Sequence, residues 1–228
     1  MKLASETVDV LKTFANINSN IAIGDNGVVR TVAVAKTVMA RATIGDVFPY
    51  KFGVYDLPEF INCYSLFDNA DLEFSDTKKF VTFSEGSQSI KYFFSDIENL
   101  VTSDKDVTMP SEEVSFTLSD TQLAQIRKAS GALKANDMVI TRDPNNETQV
   151  KVTVTDTDNP TSNEFSLNID NCTIQGDIDF TFVFNINNFK FNTAAEYKFV
   201  VSSKMISSVV AGDVNYWLAL NKNSKYGV

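Results

Sequence analysis

Long tracts of the chain alternate apolar and polar residues with a period of two, the mark of strands that bury one face. QVKVTVT puts Val150, Val152 and Val154 on one side, and IDFTFVF does the same with Ile178, Phe180, Phe182 and Phe184. SIKYFFS repeats the pattern with Ile90, Tyr92 and Phe94, and EFSLNID with Phe165, Leu167 and Ile169. Near the end, Val214, Tyr216, Leu218 and Leu220 alternate in the same way. Turn-forming runs such as GDNG (24–27) and DPNN (143–146) separate these tracts. The pattern predicts antiparallel sheets interrupted by only a few helices.

Those few helices come in two sets. SET at Ser5–Thr7 opens a first helical stretch, and SDT at Ser119–Thr121 opens a second. VYDLPEF at Val54–Phe60 then returns as VFNINNF at Val183–Phe189, a strand end, an Asx able to cap, and a helix start. Two matches in the same order, offset by about half the chain, predict a duplicated domain. Each half then holds one longer helix, strands, a second short helix and more strands. The polar, acidic run from Ser95 to Glu113 reads as an extended connector lying along a surface. The expected division is a first domain at 1–96, a connector at 97–113 and a second domain at 114–228.

The helix SDTQLAQIRKASGALK, Ser119–Lys134, carries the strongest functional signal. Ser119 and Gln122 have capping-box spacing. At about 100° per residue, Leu123, Ile126, Ser130 and Leu133 gather on one side, to be packed on a sheet. Ala124, Gln125, Lys128 and Ala132 lie opposite, with Arg127 and Lys134 at the edge. From Thr121 onward the helix holds no acid, although the chain has 29 Asp and Glu against 20 Lys and Arg and a formal net charge of -9. Small residues with positive charge alone suit close approach to a polyanion. Two other helices add less: Lys12 shares its face with Glu6 and Asp9, and Lys190 follows the Asn185 cap.

Composition narrows the chemistry. With 43% hydrophobic and 21% charged residues, the chain is expected to be globular. There is no histidine, which removes histidine-activated nucleophiles and imidazole-ligated metals. No phosphate loop, CxxC pair or GxGxxG is present, so neither an enzyme nor a cofactor is expected. MKLASETVDV lacks the apolar core of an export signal, and no window has the length of a membrane span. Cys63 and Cys172 fit an intracellular chain with reduced thiols.

The ordered set MKLASETVDVLKTFANINSNI, VYDLPEF and VNYWLAL, from Met1 to about Leu220, resembles the sliding clamps of T-even-type bacteriophages, the DNA polymerase processivity factors. The resemblance implies an α+β fold of two duplicated clamp-type domains, each with curved antiparallel sheets and two helices. Three subunits would close head to tail into a homotrimeric ring of pseudo-sixfold symmetry, with helices lining the hole. It implies duplex DNA in that hole, held non-specifically through its backbone, and Lys12, Arg127, Lys128, Lys134 and Lys190 facing it. Subunit joints would use Ile90, Tyr92 and Phe94 on one side, and Phe165 and Leu167 on the other. A pocket at Val107, Met109, Pro110, Tyr216 and Leu218 would take partner peptides. The implied partners are the C-terminal peptide of the DNA polymerase, an ATP-dependent clamp loader and late-transcription factors, in the cytoplasm of the infected bacterial host. The alternative is a non-catalytic, β-rich phage virion or assembly protein, which leaves the repeated helices and the acid-free face unexplained. A single-strand-binding protein would need aromatics interleaved with bases, whereas most of the 18 Phe sit at core-like alternating positions.

Overall fold

Ser5, Glu6 and Thr7 begin helix α1 (Ser5–Ala15), which buries Thr7, Leu11 and Phe14 along one stripe. The spacing is that of one helical face, and Leu11 and Phe14 are almost fully excluded from water. Each such side chain stabilises the fold by about 1.5–3 kcal/mol. The molecule is described here by a computed structural model covering residues 1–227, which divides into two compact units between Lys105 and Asp106.

In the first unit, α1 is followed by β1 (Ile21–Ile23), β2 (Val28–Val32), β3 (Val38–Thr43) and β4 (Phe52–Val54). These strands pair antiparallel in the order β3-β2-β1-β4. Asp56 then caps α2 (Leu57–Ser65), its Oδ1 accepting the Glu59 amide at 2.9 Å, with Pro58 in the first turn where its missing N–H costs nothing. Next come β5 (Asp71–Phe74), β6 (Phe80–Glu85) and β7 (Gln88–Phe93), a three-stranded antiparallel sheet with β7 outermost. Phe60 of α2 meets Phe83 and Tyr92, each with ring centroids 5.2 Å apart, so an aromatic cluster joins α2 to this sheet.

The chain after β7, as far as Lys105, stays with the first unit. Ser95 bridges to Gly53 of β4, a 3-10 turn spans Ile97–Asn99, and Asn18 donates to the Val101 carbonyl at 3.0 Å. Gly53 is required here, because a Cβ would stand 2.5 Å from the Ser95 carbonyl oxygen. Lys51 pairs with Asp104 at 3.0 Å further along.

The second unit opens with β8 (Val114–Ser119) and α3 (Asp120–Leu133). It continues through β9 (Asp137–Asp143), β10 (Asn146–Thr155), β11 (Phe165–Ile169), β12 (Thr173–Ile174) and β13 (Phe180–Asn185). The last strands are β14 (Glu196–Ser202), β15 (Ile206–Ala211), β16 (Val214–Ala219) and β17 (Lys225–Tyr226). One sheet runs β12-β8-β14-β15-β16 and the other β11-β10-β9-β13-β17, with β11 outermost. The core between them holds Phe116, Phe182, Phe184 and Phe199, all nearly inaccessible.

The two units share an order of elements but not every element. The sequence predicts a second helix after Asn185, and a single 3-10 turn at Ile186–Asn188 stands there instead. Asn185 does cap, accepting the Asn187 amide at 3.0 Å. Two asparagines then compete for the backbone with their own side chains, which disfavours helix. Phe189 and Phe191 meanwhile pack into the core, Phe191 lying 4.9 Å from the Tyr216 ring. Thus the fold is α+β, with two helices in the first unit and one in the second among the described residues.

Candidate nucleic-acid interface

Helix α3 starts where the sequence places it. The Ser119 hydroxyl accepts the Gln122 amide at 3.2 Å, and the Gln122 side chain accepts the Ser119 amide at 2.9 Å, completing the capping box. Leu123, Ile126 and Ser130 are buried, which turns Ala124, Gln125, Arg127, Lys128, Gly131, Ala132 and Lys134 towards solvent. The helix stops at Lys134, whose left-handed backbone (φ 53) lets its amide close on the Ser130 region.

Beyond this stop the chain turns back under the helix end. Arg127 Nη2 donates to the Phe189 carbonyl at 2.8 Å, tying α3 to the segment after the 3-10 turn. A shallow cleft of about 470 Å³ opens there, with Arg127, Lys134 and Lys190 around it and Ile186 and Phe189 beneath. Three of the five expected DNA-facing cations therefore surround one depression. Lys128 is exposed on the same helix but outside the cleft lining, and Lys12 is exposed on α1 of the first unit beside exposed Glu6 and Asp9. Asn136 and Asn187 also line the cleft. The sequence reading missed both, although Asn187 lies within the repeated VFNINNF motif.

The residues expected at subunit joints divide by strand face. Tyr92 on β7 is buried and Phe94, just beyond its end, is half-buried, both in the unit's own aromatic cluster. Tyr92 also donates its hydroxyl to the Asp56 carbonyl at 3.2 Å. Burial, with Glu59 nearby, pushes the Tyr92 hydroxyl up to about 12. The apolar side chain offered outward on β7 is Phe93, 65% exposed, and Ile90 is half-buried. Period two explains the difference: Ile90, Tyr92 and Phe94 share one face, with Tyr92 against Phe60 of α2 and Phe94 against Phe52 and Phe74, and Phe93 takes the other. On β11, Phe165 and Leu167 are half-buried and alternate with exposed Ser166 and Asn168.

The expected peptide pocket also divides. Val107 and Met109 are half-buried and Pro110 is exposed. Tyr216 and Leu218 are core residues, at 0% and 1% exposure. Tyr216 donates to Asn192 Oδ1 and accepts the Asn192 amide, both at 2.9 Å, and burial pushes its hydroxyl further up than that of Tyr92. Neither side chain offers surface to a peptide, because β16 turns Val214, Tyr216 and Leu218 inward as one face.

Among the described residues, no group of three or more His, Cys, Asp or Glu is gathered as a metal ion would require, and both cysteines are free. No helix among them is long and apolar enough to cross a membrane.

Comparison with known proteins gives this geometry its context. Residues 2–101 match the family model of the DNA polymerase processivity factor. The sliding clamp of Vibrio phage KVP40 is 29% identical over 223 residues, covering 96% of this chain and 98% of that protein. The sliding clamp of Escherichia phage RB69 is 25% identical over 230 residues, covering 99% of both. The crystal structure of Proliferating Cellular Nuclear Antigen from Entamoeba histolytica superposes with a TM-score of 0.68 at 15% identity, covering 94% of each chain, a likeness of fold. Full-length agreement with two phage clamps, a processivity-factor match across the first unit and a clamp-like fold converge on one likeness: the chain resembles the sliding clamps of T-even-type phages.

Proposed function

We propose that three copies of this chain close into a ring around duplex DNA and tether the replicative polymerase to it, without catalysing any reaction themselves. The observation that carries this reading is the absence of acids from α3 beyond its first residue, Asp120, in a chain of net charge -9. A field that is positive only where DNA passes attracts phosphates without base readout, so the ring slides. Arg127, Lys128, Lys134 and Lys190 supply the contacts in the second unit and Lys12 in the first.

The joints pair outer strand β7 of one copy with outer strand β11 of the next, a heterologous contact that closes on itself. Exposed Phe93, with Phe165 and Leu167, supports this assignment, since unpaired apolar edges invite association. Partner peptides, including the polymerase C-terminus, dock along Val107, Met109 and Pro110. A clamp loader driven by ATP opens the ring, late-transcription factors use the same platform, and all of this takes place in the cytoplasm of an infected bacterium.

The test is solution mass against concentration, by sedimentation. The expected particle has close to three times the 25.3 kDa subunit mass and dissociates on dilution. A monomer at every concentration sinks the ring. In parallel, the double variant R127E/K128E is expected to form the trimer normally and to lose loader-dependent processive synthesis.

A further inference from the structure

Asn26 is the only asparagine of the chain that precedes a glycine, and it stands in the turn GDNG between β1 and β2. We propose that Asn26–Gly27 is a site of spontaneous covalent modification, where the asparagine closes to a succinimide and reopens as an acidic residue that loosens the connector's Lys51–Asp104 anchor. The site lies within the first unit and does not depend on ring assembly.

The chemistry needs only the chain and water. The Gly27 backbone nitrogen adds to Cγ of Asn26, a carbon–nitrogen bond forms, and the side-chain amide leaves as ammonia with the proton lost from that nitrogen. Water then opens the imide ring at either carbonyl. One opening leaves aspartate at position 26, and the other leaves isoaspartate, whose chain runs through the side-chain carboxyl carbon. Nothing is oxidised or reduced.

Local structure favours the addition. Gly27 has no Cβ to shield its nitrogen, and its left-handed backbone (φ 68) closes the turn. Asn26 Oδ1 accepts the Val28 amide at 3.1 Å, an Asx turn that loops around the Gly27 nitrogen. That donor draws charge from Cγ and stabilises the oxyanion formed as the nitrogen adds. Gly24 leaves room on the other side, since a Cβ there would stand 3.0 Å from Asn26 Oδ1. Asn26 is exposed, so ammonia leaves and water arrives freely. Asn18 and Asn223, which precede serines, are held instead. Asn18 is buried and donates to the Val32 and Val101 carbonyls, and Asn223 is half-buried and donates to Thr157 and Asp158.

The neighbours set the consequence. Asn26 lines a small cleft of about 90 Å³ with Asp25, Arg30, Lys51 and Asp104. Two acids meet two bases there, so a carboxylate at position 26 leaves acid in excess. Asp104 holds Lys51 at 3.0 Å through a side chain that is 75% exposed, and it is the acid that swings away when position 26 competes for the lysine.

The full chain, aged at neutral pH in heavy-oxygen water and mapped by mass spectrometry, is expected to convert at Asn26 before any other asparagine. Heavy oxygen should enter at that residue, and isoaspartyl methyltransferase should label it. Asn26→Ser, whose hydroxyl still accepts the Val28 amide, should fold and stay unmodified. Asn26→Asp, standing in for the product, should speed trypsin cleavage after Lys105 by up to about fivefold, the loss of one exposed ion pair. Lys51→Ala should do the same, and adding Asn26→Asp to it should have little further effect. Asn26 left intact after Asn18 or Asn223 has converted, or converting only in denaturant, overturns the modification site. Cleavage after Lys105 at the parental rate in Asn26→Asp, or a full further increase on top of Lys51→Ala, overturns the link to the connector.

Discussion

Gly53 is the residue on which the connector's attachment to the first unit turns, and replacing it by alanine tests that attachment directly. A Cβ at this position would lie 2.5 Å from the Ser95 carbonyl oxygen, 2.8 Å from Leu100 Cδ1 and 3.2 Å from Ile97 Cγ1. The leucine tip can rotate away, but the Ser95 oxygen is backbone and must retreat to at least 3.0 Å. That movement pulls on the Ser95 amide, which donates to the Gly53 carbonyl at 2.9 Å in the same bridge. Overpacking of this kind costs about 1–3 kcal/mol, and weakening the hydrogen bond adds about 1 kcal/mol. Alanine also restricts the unfolded chain, which offsets about 0.4–1 kcal/mol. The net expectation is a loss of about 1–3 kcal/mol, seen as a midpoint lowered by about 2–12 °C in thermal unfolding. Hydrogen exchange locates the damage: the Ser95 and Leu100 amides should lose protection first, while those of β14 and β15 should not change. A variant with parental midpoint and parental Ser95 protection would refute the reasoning, since it would mean that the strap does not bear on β4.

Strand β7 separates a fold residue from a surface residue at adjacent positions. Tyr92→Lys should unfold the first unit by charging its aromatic cluster, whereas Phe93→Lys should leave circular dichroism unchanged and shift the sedimenting species towards monomer. Tyr216→Phe removes the hydroxyl that accepts the Asn192 backbone amide and donates to its Oδ1, and should cost about 1–3 kcal/mol in chemical denaturation without altering the fold. Glu113 gives a pH signature. Burial alone would raise its carboxyl, but hydrogen bonds from the Ser203 hydroxyl and amide and the Ser111 hydroxyl prevail and hold it below 4.5. A depressed folded pKa contributes stability present above the unfolded value, lost as pH falls from about 4.5 through the folded value. Glu113→Gln should flatten stability against pH in that acid window, and an unchanged slope would count against the cluster.

Much of this protein was settled by local pattern. Period-two alternation marks β7, β10, β11, β13 and β16 because a half-buried strand must bury every second residue wherever it sits. The Ser119–Gln122 box and the Asp56 cap were readable for the same reason, as capping satisfies backbone groups within four residues. The acid-free stretch of α3 was also local, since charge along one helix needs no partner to be counted.

Alternation does not say which face a sheet turns inward, so Tyr92, Tyr216 and Leu218 became core only when α2 and the facing sheet closed over them. The missing second helix of the second unit depended on Phe189 and Phe191 finding core contacts that outweigh the Asn185 cap. The cleft is the clearest case. Arg127 and Phe189 lie far apart in the chain, and only folding brings a guanidinium to that carbonyl and Lys134 and Lys190 to one depression. Sequence determined where strands, caps and charge would fall, because those follow from contacts a few residues apart. Tertiary structure alone decided which faces are hidden and which cations meet, because burial and convergence are set by segments distant along the chain.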